Sequence, residues 1–373
     1  MTLFLFIIIL VSLWQIKFPK PVLSGINNNY LEMSRTDSIK GIFILLVFLS
    51  HARNYLSTFP EYTQNPFNGI YDVFQNHLGQ GVVIMFLFYS GYGVMESIIK
   101  KGSDYINAFP KKRFAKTLFH FDIAVILFVI VDLCLGTLKN YSILEVLLSF
   151  TGWESIGNSN WYIFAILILY LITYFAFKIF KNKTSKAVWL VTVLTVVYIT
   201  VLALVGKDAW WFDTVLLYPL GMWYSVGKDK IETFVRKKPI NYFVLLILCC
   251  TVFIVSHLLS SNIICYEISL VALCAVIVVV TIKVDINNKI LEFFGKHLFE
   301  IYILMRIPMI VLLHFEETNS YLFVAISFVV TLLISALFKK FFNIVDKVFL
   351  NKKSCTYLYF LNNYELHLCI ISY

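Results

Sequence analysis

The stretch SIKGIFILLVFLSH, residues 38–51, is almost wholly apolar, yet it begins beside a lysine, Lys40, and ends on a histidine, His51. Apolar stretches of about 17 or more residues recur along the 373-residue chain. In lipid such a segment satisfies its backbone hydrogen bonds only as a helix or in a closed barrel. The alternation of a barrel strand is not visible, so the sequence predicts an all-α, polytopic transmembrane helical bundle.

The composition supports the same class of protein. Hydrophobic residues make up 60% of the chain and charged residues only 14%, whereas soluble domains carry about 25% charged residues. The seven cysteines form no Cys-x-x-Cys pair or other metal-ligand spacing, so we expect them to pack as small residues and expect no metal site.

Ten membrane helices are expected. They lie at about residues 38–57, 80–98, 119–137, 161–179, 187–205, 210–227, 240–258, 262–282, 297–315 and 320–338. Residues 3–16 are a short eleventh candidate without the basic start of a signal peptide, and we favour a true crossing. The expected division of the chain is an N-terminal apolar segment at 1–30, the main membrane domain at 31–345 and a cytoplasmic tail at 346–373.

The basic residues predict the orientation and explain the net charge of +9. Lys and Arg total 31, and all but four lie in alternate loops on one side. This asymmetry marks the cytoplasmic side and puts the C-terminus there, with no need for nucleic acid as a partner. The longest segments on the other side, residues 57–80 and 136–160, are aromatic and amide-rich. They suit either sugar binding or an interfacial aromatic belt.

Lys40 and His51 are 11 residues apart, which on a helix puts them on one stripe, separated by about 16 Å of rise. A charged end, an apolar middle and a polar outer end predict the lining of a narrow passage. The same stripe includes Asp37, Ile44, Val47 and Asn54.

His51 has two interpretations. A histidine in a membrane helix often only bonds a neighbouring helix. Ionisable residues within membranes are otherwise candidates for function. Burial favours a neutral imidazole, which can accept a proton from a hydroxyl.

The stretch around His51 resembles the first signature of acyltransferase family 3, the membrane-bound O-acyltransferases of bacterial polysaccharides. Asp37, Lys40, Gly41 and His51 occupy the signature positions. The family usually has arginine in place of Lys40. Lysine offers a point charge and not the bidentate fork of arginine, so the match in phosphate binding is only partial.

The stretch GQGVVIMFLFYSGYGV, residues 79–94, is similar to the family's second conserved segment, with Met85 departing from it. Small residues here favour close approach of two helices. Ser90 is either a packing and hydrogen-bonding residue or, less favoured without a visible base, a nucleophile. The matching residues are Gly81, Val82, Phe86, Ser90 and Gly91.

The stretch FPKKRFAKTLFHFDIA, residues 109–124, resembles the family's basic segment, where Arg113 and Lys116 fit two cations and Phe119 replaces a proline. These cations serve as an orientation signal. In the family they are also suited to hold the phosphates of coenzyme A.

Two later stretches complete the resemblance, which covers residues 35–340 in family order. Residues 158–172 match at Asn160, Trp161 and Tyr170, although Trp161 also suits a plain interfacial anchor. Residues 291–308 match at Gly295, Glu300, Tyr302 and Pro308, with Met305 where many members have histidine. Arg306 lies deep in the expected span, so we expect it to pair with a carboxylate or to face the cleft.

The resemblance implies a bacterial plasma-membrane enzyme that transfers an acyl group, by default acetyl from acetyl-CoA, to a glycan hydroxyl. Lys40, Arg113 and Lys116 would hold the donor phosphates, and His51 would act as general base on the acceptor hydroxyl or would briefly carry the acyl group. Asn54, Asn160 or a backbone amide would stabilise the oxyanion. Supporting residues would be Asp37, Ser90, Trp161, Glu300, Tyr302 and Arg306.

Other classes stay open at this point. A polytopic transporter or flippase of a glycan or small solute is the main alternative, though only Pro219 and Pro308 lie in the later spans. A glycan polymerase would need a larger outer loop, and a purely structural membrane partner is the remaining option. The acceptor and the oligomeric state cannot be read from the sequence.

Overall fold

The structure is a computed structural model that describes residues 1–20, 25–57, 59–181, 183–315 and 319–350, with side chains through Lys347. Helix accounts for 81% of it, and these residues contain no strand. The predicted all-α helical bundle is therefore confirmed. Most of the predicted tail, 346–373, lies outside the described residues.

The helices follow one another with short connections. They are α1 Thr2–Leu13, α2 Met33–Leu56, α3 Pro60–Thr63, α4 Asn68–Leu78, α5 Ile84–Phe109, α6 Lys116–Leu135, α7 Ile143–Ser149, α8 Trp161–Ile179, α9 Thr184–Val205, α10 Leu217–Lys237, α11 Pro239–Leu258, α12 Ile263–Thr281, α13 Lys289–Lys296, α14 Leu298–Leu304, α15 Arg306–His314 and α16 Ser320–Leu350.

The opening stretch lies within α2, which is buried over most of its length. Because its apolar residues surround the whole helix, α2 can be buried on every side, as is typical of a central helix. Lys40 lies near its start and His51 near its end. We call the two ends of the bundle the Lys40 end and the His51 end.

Glycines let two helix pairs touch backbone to backbone. A Cβ on Gly41 of α2 would lie 1.9 Å from the carbonyl oxygen of Leu291, and one on Gly295 of α13 would lie 1.9 Å from that of Asp37. The pair α5–α10 repeats the arrangement, with Gly91 against Tyr218 and Gly221 against Phe88. The close approach predicted from the small residues around Gly91 is confirmed.

Among the described residues, seven helical segments are long and apolar enough to cross a membrane, or eight if one bent pair counts as a span. The prediction of ten or eleven is not confirmed. Two predicted spans, 80–98 and 119–137, fall in one helical stretch, Asn68–Leu135. Within this stretch, the non-helical Gly102 kinks α5. A π-helical turn at Pro110–Ala115 then separates α5 from α6.

Three further differences account for the rest of the count. The predicted span 210–227 begins too early, since α10 starts at Leu217 and continues into a charged stretch. Residues 297–315 are not one straight helix, because Lys289–Lys296 and Leu298–His314 meet at a bend of 60°. The third difference is α1, which has only 12 helical residues.

The N-terminal segment nevertheless runs alongside α2. The Thr2 hydroxyl donates to the carbonyl of Phe67 at the His51 end, 2.6 Å away. Lys17 exchanges two backbone hydrogen bonds with Asp285, whose carboxylate pairs with Arg35 at the Lys40 end. The twelve helical residues of α1 rise about 18 Å, and a turn at Trp14 and Gln15 separates them from Lys17. Crossing of the membrane by residues 3–16 stays a prediction.

Candidate functional site

At the Lys40 end, the lysine is held by a carboxylate of its own helix. Lys40 Nζ lies 2.6 Å from Asp37 Oδ1, one turn earlier. Asp37 is 4% exposed, and its backbone oxygen is the group that packs on Gly295. The contact between α2 and α13 therefore fixes the position of the ion pair, and a buried carboxylate partly balances the charge on Lys40.

A cavity of about 540 Å³ opens beside this pair. Four residues predicted for the site, Asp37, Lys40, Ser90 and Arg113, line it together, although they come from three segments of the chain. Glu96, which pairs with Lys228, also lines the cavity, and six of its other lining residues are aromatic. These six are Phe86, Tyr89, Tyr92, Tyr162, Tyr170 and Phe299.

Arg113 brings a positive charge to this cavity without a carboxylate partner. Its Nε donates to the Tyr105 hydroxyl at 3.0 Å, and its guanidinium lies 6.0 Å from the centre of that ring. Within the described part of the chain, no ion pair involves Arg113. A half-buried cation beside a phenol and without a carboxylate partner favours an anion in the adjoining space.

A second, basic cavity of about 320 Å³ adjoins the first, since Arg113, Thr117 and Phe299 line both. Lys116 lies here, as predicted, but its amine pairs with Asp346 at 2.5 Å. The same carboxylate lies 3.2 Å from His120 Nε2. Thus Lys116 is already ion-paired, and Arg113 is the less compensated of the two predicted cations.

Asp346, His120 and Lys339 belong to this cavity and were not predicted. Asp346 lies in α16, one residue beyond the expected boundary at 345, so the sequence division placed it in the tail. Glu300, which was predicted, lines the same cavity 3.7 Å from the Lys339 amine. Glu300 and Lys339 are 39 positions apart, and Lys116 and Asp346 are 230 apart, so neither pair has a local signature in the sequence.

The Ser90 hydroxyl forms a hydrogen bond with a tyrosine and is not arranged as a catalytic nucleophile. Its Oγ lies 3.3 Å from the Tyr170 hydroxyl, which joins two positions of the predicted pattern, α5 and α8. A nucleophilic serine needs a base within hydrogen-bonding distance. The geometry agrees with the favoured packing and hydrogen-bonding role.

At the other end of α2, His51 is partly exposed and does not belong to the residues that line the 540 Å³ cavity. Ile44 and Val47, expected to line a passage between Lys40 and His51, are 0% and 2% exposed. The predicted passage along the stripe is therefore filled by packing side chains in this structure. Lys40 and His51 face two separate polar regions.

Arg306 brings a second cation close to His51. It is the first residue of α15, directly after the break in the bent pair. Its Nε donates to the Tyr55 hydroxyl at 3.0 Å, and its Nη1 donates to the Asn158 carbonyl at 3.2 Å. Its charge also acts on the imidazole of His51. The expected carboxylate partner is replaced, within the described residues, by a hydroxyl and a carbonyl.

Several buried polar atoms near Arg306 have no hydrogen-bond partner among the described residues. They are Asn158 Nδ2, Ser159 Oγ and the Tyr302 hydroxyl, and the charge of Arg306 acts on Tyr302 as well. Buried polar groups are normally satisfied, so such a cluster is typical of a site that binds a polar ligand or water. Tyr55 and Asn158 complete this centre and were missed, because the contacts cross about 150 to 250 residues of sequence.

The side-chain amides that could stabilise the oxyanion differ in whether they already have a hydrogen-bond partner. Asn160 donates its amide to the Gly152 carbonyl at 3.0 Å and fastens the loop before α8. Asn54 is exposed at the end of α2. Asn158, two residues before the predicted Asn160, has the amide that is buried and without a partner.

Comparison with protein families gives one match, a family model described as an acyltransferase domain, over residues 34–340. The matched region is most of the chain and includes every site residue discussed above except Asp346. The chain belongs to acyltransferase family 3. Searches of curated proteins and of solved structures returned no match.

Membership of acyltransferase family 3, together with several apolar helices, makes the chain a multi-pass membrane acyltransferase. The family positions Gly41, Gly91 and Gly295 have a physical explanation here, because each permits a backbone contact that a Cβ would block. Trp161 starts α8 with partial exposure, which agrees with either of its expected roles.

Two tyrosines separate the polar regions of this acyltransferase. Tyr162 lines the 540 Å³ cavity, and its ring centre lies 5.4 Å from that of Tyr302. Tyr302 in turn lies within the field of Arg306. The Tyr162–Tyr302 ring contact therefore lies between the cavity and the surroundings of Arg306.

A third cavity, of about 500 Å³, lies at the His51 end, between the end of α6 and α7. Asp132, Lys139 and Tyr141 line it, with apolar residues of α6 and α7. Burial raises the pKa of Tyr141, and Asp132 raises it further while Arg306 opposes the shift. The charges of Asp132 and Arg306 thus both act on Tyr141, although Arg306 itself does not line this cavity.

Proposed function

We propose that the protein transfers an acyl group, acetyl by family resemblance, from acyl-CoA to a hydroxyl of a cell-surface glycan, with His51 as general base. The observation that carries the proposal is the position of two polar centres on one helix. α2 presents a cation-lined cavity at the Lys40 end and a histidine beside an arginine at the His51 end.

The donor would bind at the Lys40 end. Coenzyme A carries phosphates, and Arg113 offers them a charge that no carboxylate of the described residues compensates. Lys40 and Lys116 would add to the field, each while sharing a carboxylate. The two adjoining cavities together offer room for a nucleotide and the start of its arm.

At the other end, His51 would accept the proton of the acceptor hydroxyl as its oxygen attacks the thioester carbonyl. The carbon–sulfur bond then breaks, the coenzyme A thiolate leaves, and the proton held by His51 neutralises it. Charge develops on the carbonyl oxygen during this step. Arg306 and the Asn158 amide are the groups best placed to stabilise it.

The acyl group would travel past Tyr162 and Tyr302, because the stripe through Ile44 and Val47 is packed. This route requires the two rings to move apart when the donor is bound. Side-chain rotations of this kind need no change in the helix framework.

The acceptor would approach through the 500 Å³ cavity. Its apolar walls with Asp132, Lys139 and Tyr141 suit a ligand with hydroxyl groups and an apolar face, as sugars have. The distribution of Lys and Arg supports a cytoplasmic Lys40 end and C-terminus. Acetyl-CoA made inside the cell would then serve a glycan in or beyond a bacterial plasma membrane.

A transporter is the second candidate, and one observation favours it. The bent pair Lys289–Lys296 and Leu298–His314 is a broken span, a feature that transporters use at their binding sites. Family membership favours acyl transfer over transport.

Surface glycans compared by NMR in cells with the wild-type protein and in cells without it distinguish the two. Acyl transfer predicts that the glycan persists and loses its O-acyl signals. Loss of the glycan itself from the surface would support transport, and an unchanged O-acylated glycan would contradict acyl transfer.

A further inference from the structure

Two histidines from distant parts of the chain meet at the surface of the His51 end. His77 lies in the last turn of α4, and His257 lies in the last turn of α11. His77 Nδ1 and His257 Nε2 are 3.1 Å apart, and the ring centres are 5.3 Å apart. His77 is exposed and His257 is partly exposed, and neither belongs to the centres described above.

The separation of the two nitrogens fits a shared metal ion. Zinc–imidazole bonds are about 2.0–2.1 Å long, so two such bonds at an angle between about 90° and 110° place their nitrogens roughly 2.9–3.4 Å apart. Imidazole is a ligand that zinc, copper and nickel prefer. An unliganded pair can instead share one N–H···N hydrogen bond at the same distance.

We propose that His77 and His257 form a surface site for a late first-row divalent transition ion such as Zn²⁺. Within the described residues, no group of three or more His, Cys, Asp or Glu side chains is placed to hold a metal. The site therefore has two protein ligands, and water fills its remaining positions.

The ion would join two parts of the molecule that are otherwise loosely connected. α11 buries only Tyr242 and Ser256, so most of it faces outward. α4 is attached to the core, where Gln75 donates to the Ser50 hydroxyl at 2.9 Å, next to His51. A metal bridge would fasten the outer helix α11 to the segment that packs beside the end of α2.

The test uses the full-length protein in detergent, purified without a polyhistidine tag and stripped with EDTA. Zn²⁺ is added against a competing chromophoric chelator, and thermal unfolding is followed with and without Zn²⁺. We expect one bound equivalent per chain and a higher unfolding temperature, both reversed by EDTA.

The variants His77→Gln and His257→Gln should each lose the bound equivalent and the thermal shift. His314→Gln, an exposed histidine of α15, is the matched control and should keep both. Thermal unfolding in the absence of metal shows that each variant is folded. No binding by the wild type, or equal binding by the His77 and His257 variants, would overturn the site and leave only a hydrogen bond between the rings.

Discussion

Arg306 donates a hydrogen bond from Nε to the hydroxyl of Tyr55 across 3.0 Å, although 251 positions separate the two residues. Tyr55 lies one helical turn after His51 on α2. The bond therefore fixes the start of α15 against the histidine end of α2. It holds a guanidinium beside the group proposed to act as base.

Replacing Tyr55 with Phe removes this bond but keeps the ring. We expect kcat for acyl transfer to fall roughly tenfold, since a hydrogen bond to a charged group is worth about 1.5–3 kcal/mol. The KM for the donor should not change, because the donor cavity is at the other end of α2. Steady-state kinetics measure kcat and the donor KM separately. Tyr321→Phe on the exposed surface of α16 is the control, and a rise in donor KM alone would refute this placement of Arg306.

Replacing Arg113 with Gln tests the donor cavity. If Arg113 binds a phosphate, the KM for acyl-CoA should rise roughly ten- to a hundred-fold, while kcat changes little. Lys111→Gln, an exposed cation in the same π-helical turn, should have no effect. Arg113 is a sharper test than Lys40, because removing Lys40 leaves the buried Asp37 carboxylate without its partner. An unchanged donor KM in Arg113→Gln would contradict the phosphate assignment.

The glycine contacts predict a contrast within α10. A Cβ on Gly221 would lie 2.1 Å from the Phe88 carbonyl oxygen, whereas no atom lies within 4 Å of one on Gly227. Gly221→Ala should lower the free energy of unfolding by about 1–3 kcal/mol through overpacking. Gly227→Ala should leave it equal or raise it by up to about 1 kcal/mol. Unfolding in detergent measures both, and equal stability of the two variants would disprove the close contact.

Asp213, in the loop before α10, predicts a pH dependence of stability. Burial, with Glu267 nearby, raises the pKa of Asp213 from 3.8 to about 8. Its Oδ1 has no hydrogen-bond partner. The folded state binds the proton of Asp213 more tightly than the unfolded chain does. The contribution of this carboxyl to the free energy of unfolding is therefore fully present below about pH 4. It is lost progressively as the pH rises to about 8.

Asp213→Asn should therefore stabilise the protein at pH 8 and have little effect at pH 4. Unfolding temperatures of wild type and variant, measured between these values, give the comparison. The opposite order, with the variant more stable only at pH 4, would show that the carboxyl is ionised in the folded protein.

Much of the fold could be predicted from apolar runs alone. α8 has the predicted bounds, 161–179, because a continuous apolar run with a tryptophan at its start leaves few alternatives. The run at 297–315 misled the prediction, since hydropathy does not record the bend before Leu298. The span count failed for the same reason, because helices that bend, merge or carry charge differ little in composition from straight ones.

The sequence predicted the site residues that lie close together on one helix or in one short segment. Lys40 and Arg113, two of the three cations assigned to the donor, line one cavity with Ser90, whereas Lys116 lines the neighbouring cavity. Asn158, Tyr55 and Asp346 were not found, since each matters through a partner far away in sequence. The packing of Ile44 and Val47 also could not be read, because a stripe on one helix does not show what lies against it.

The proposed function depends on His51 acting as the base for acyl transfer. The most direct measurement is the initial rate of labelled acetyl transfer from acetyl-CoA to glycan from cells lacking the protein, using purified wild type, His51→Ala and the control His314→Ala in liposomes. We expect His51→Ala to lower kcat about a hundredfold or more with an unchanged donor KM. The control should match the wild type. A His51→Ala protein that transfers acetyl at the wild-type rate would contradict this role of His51.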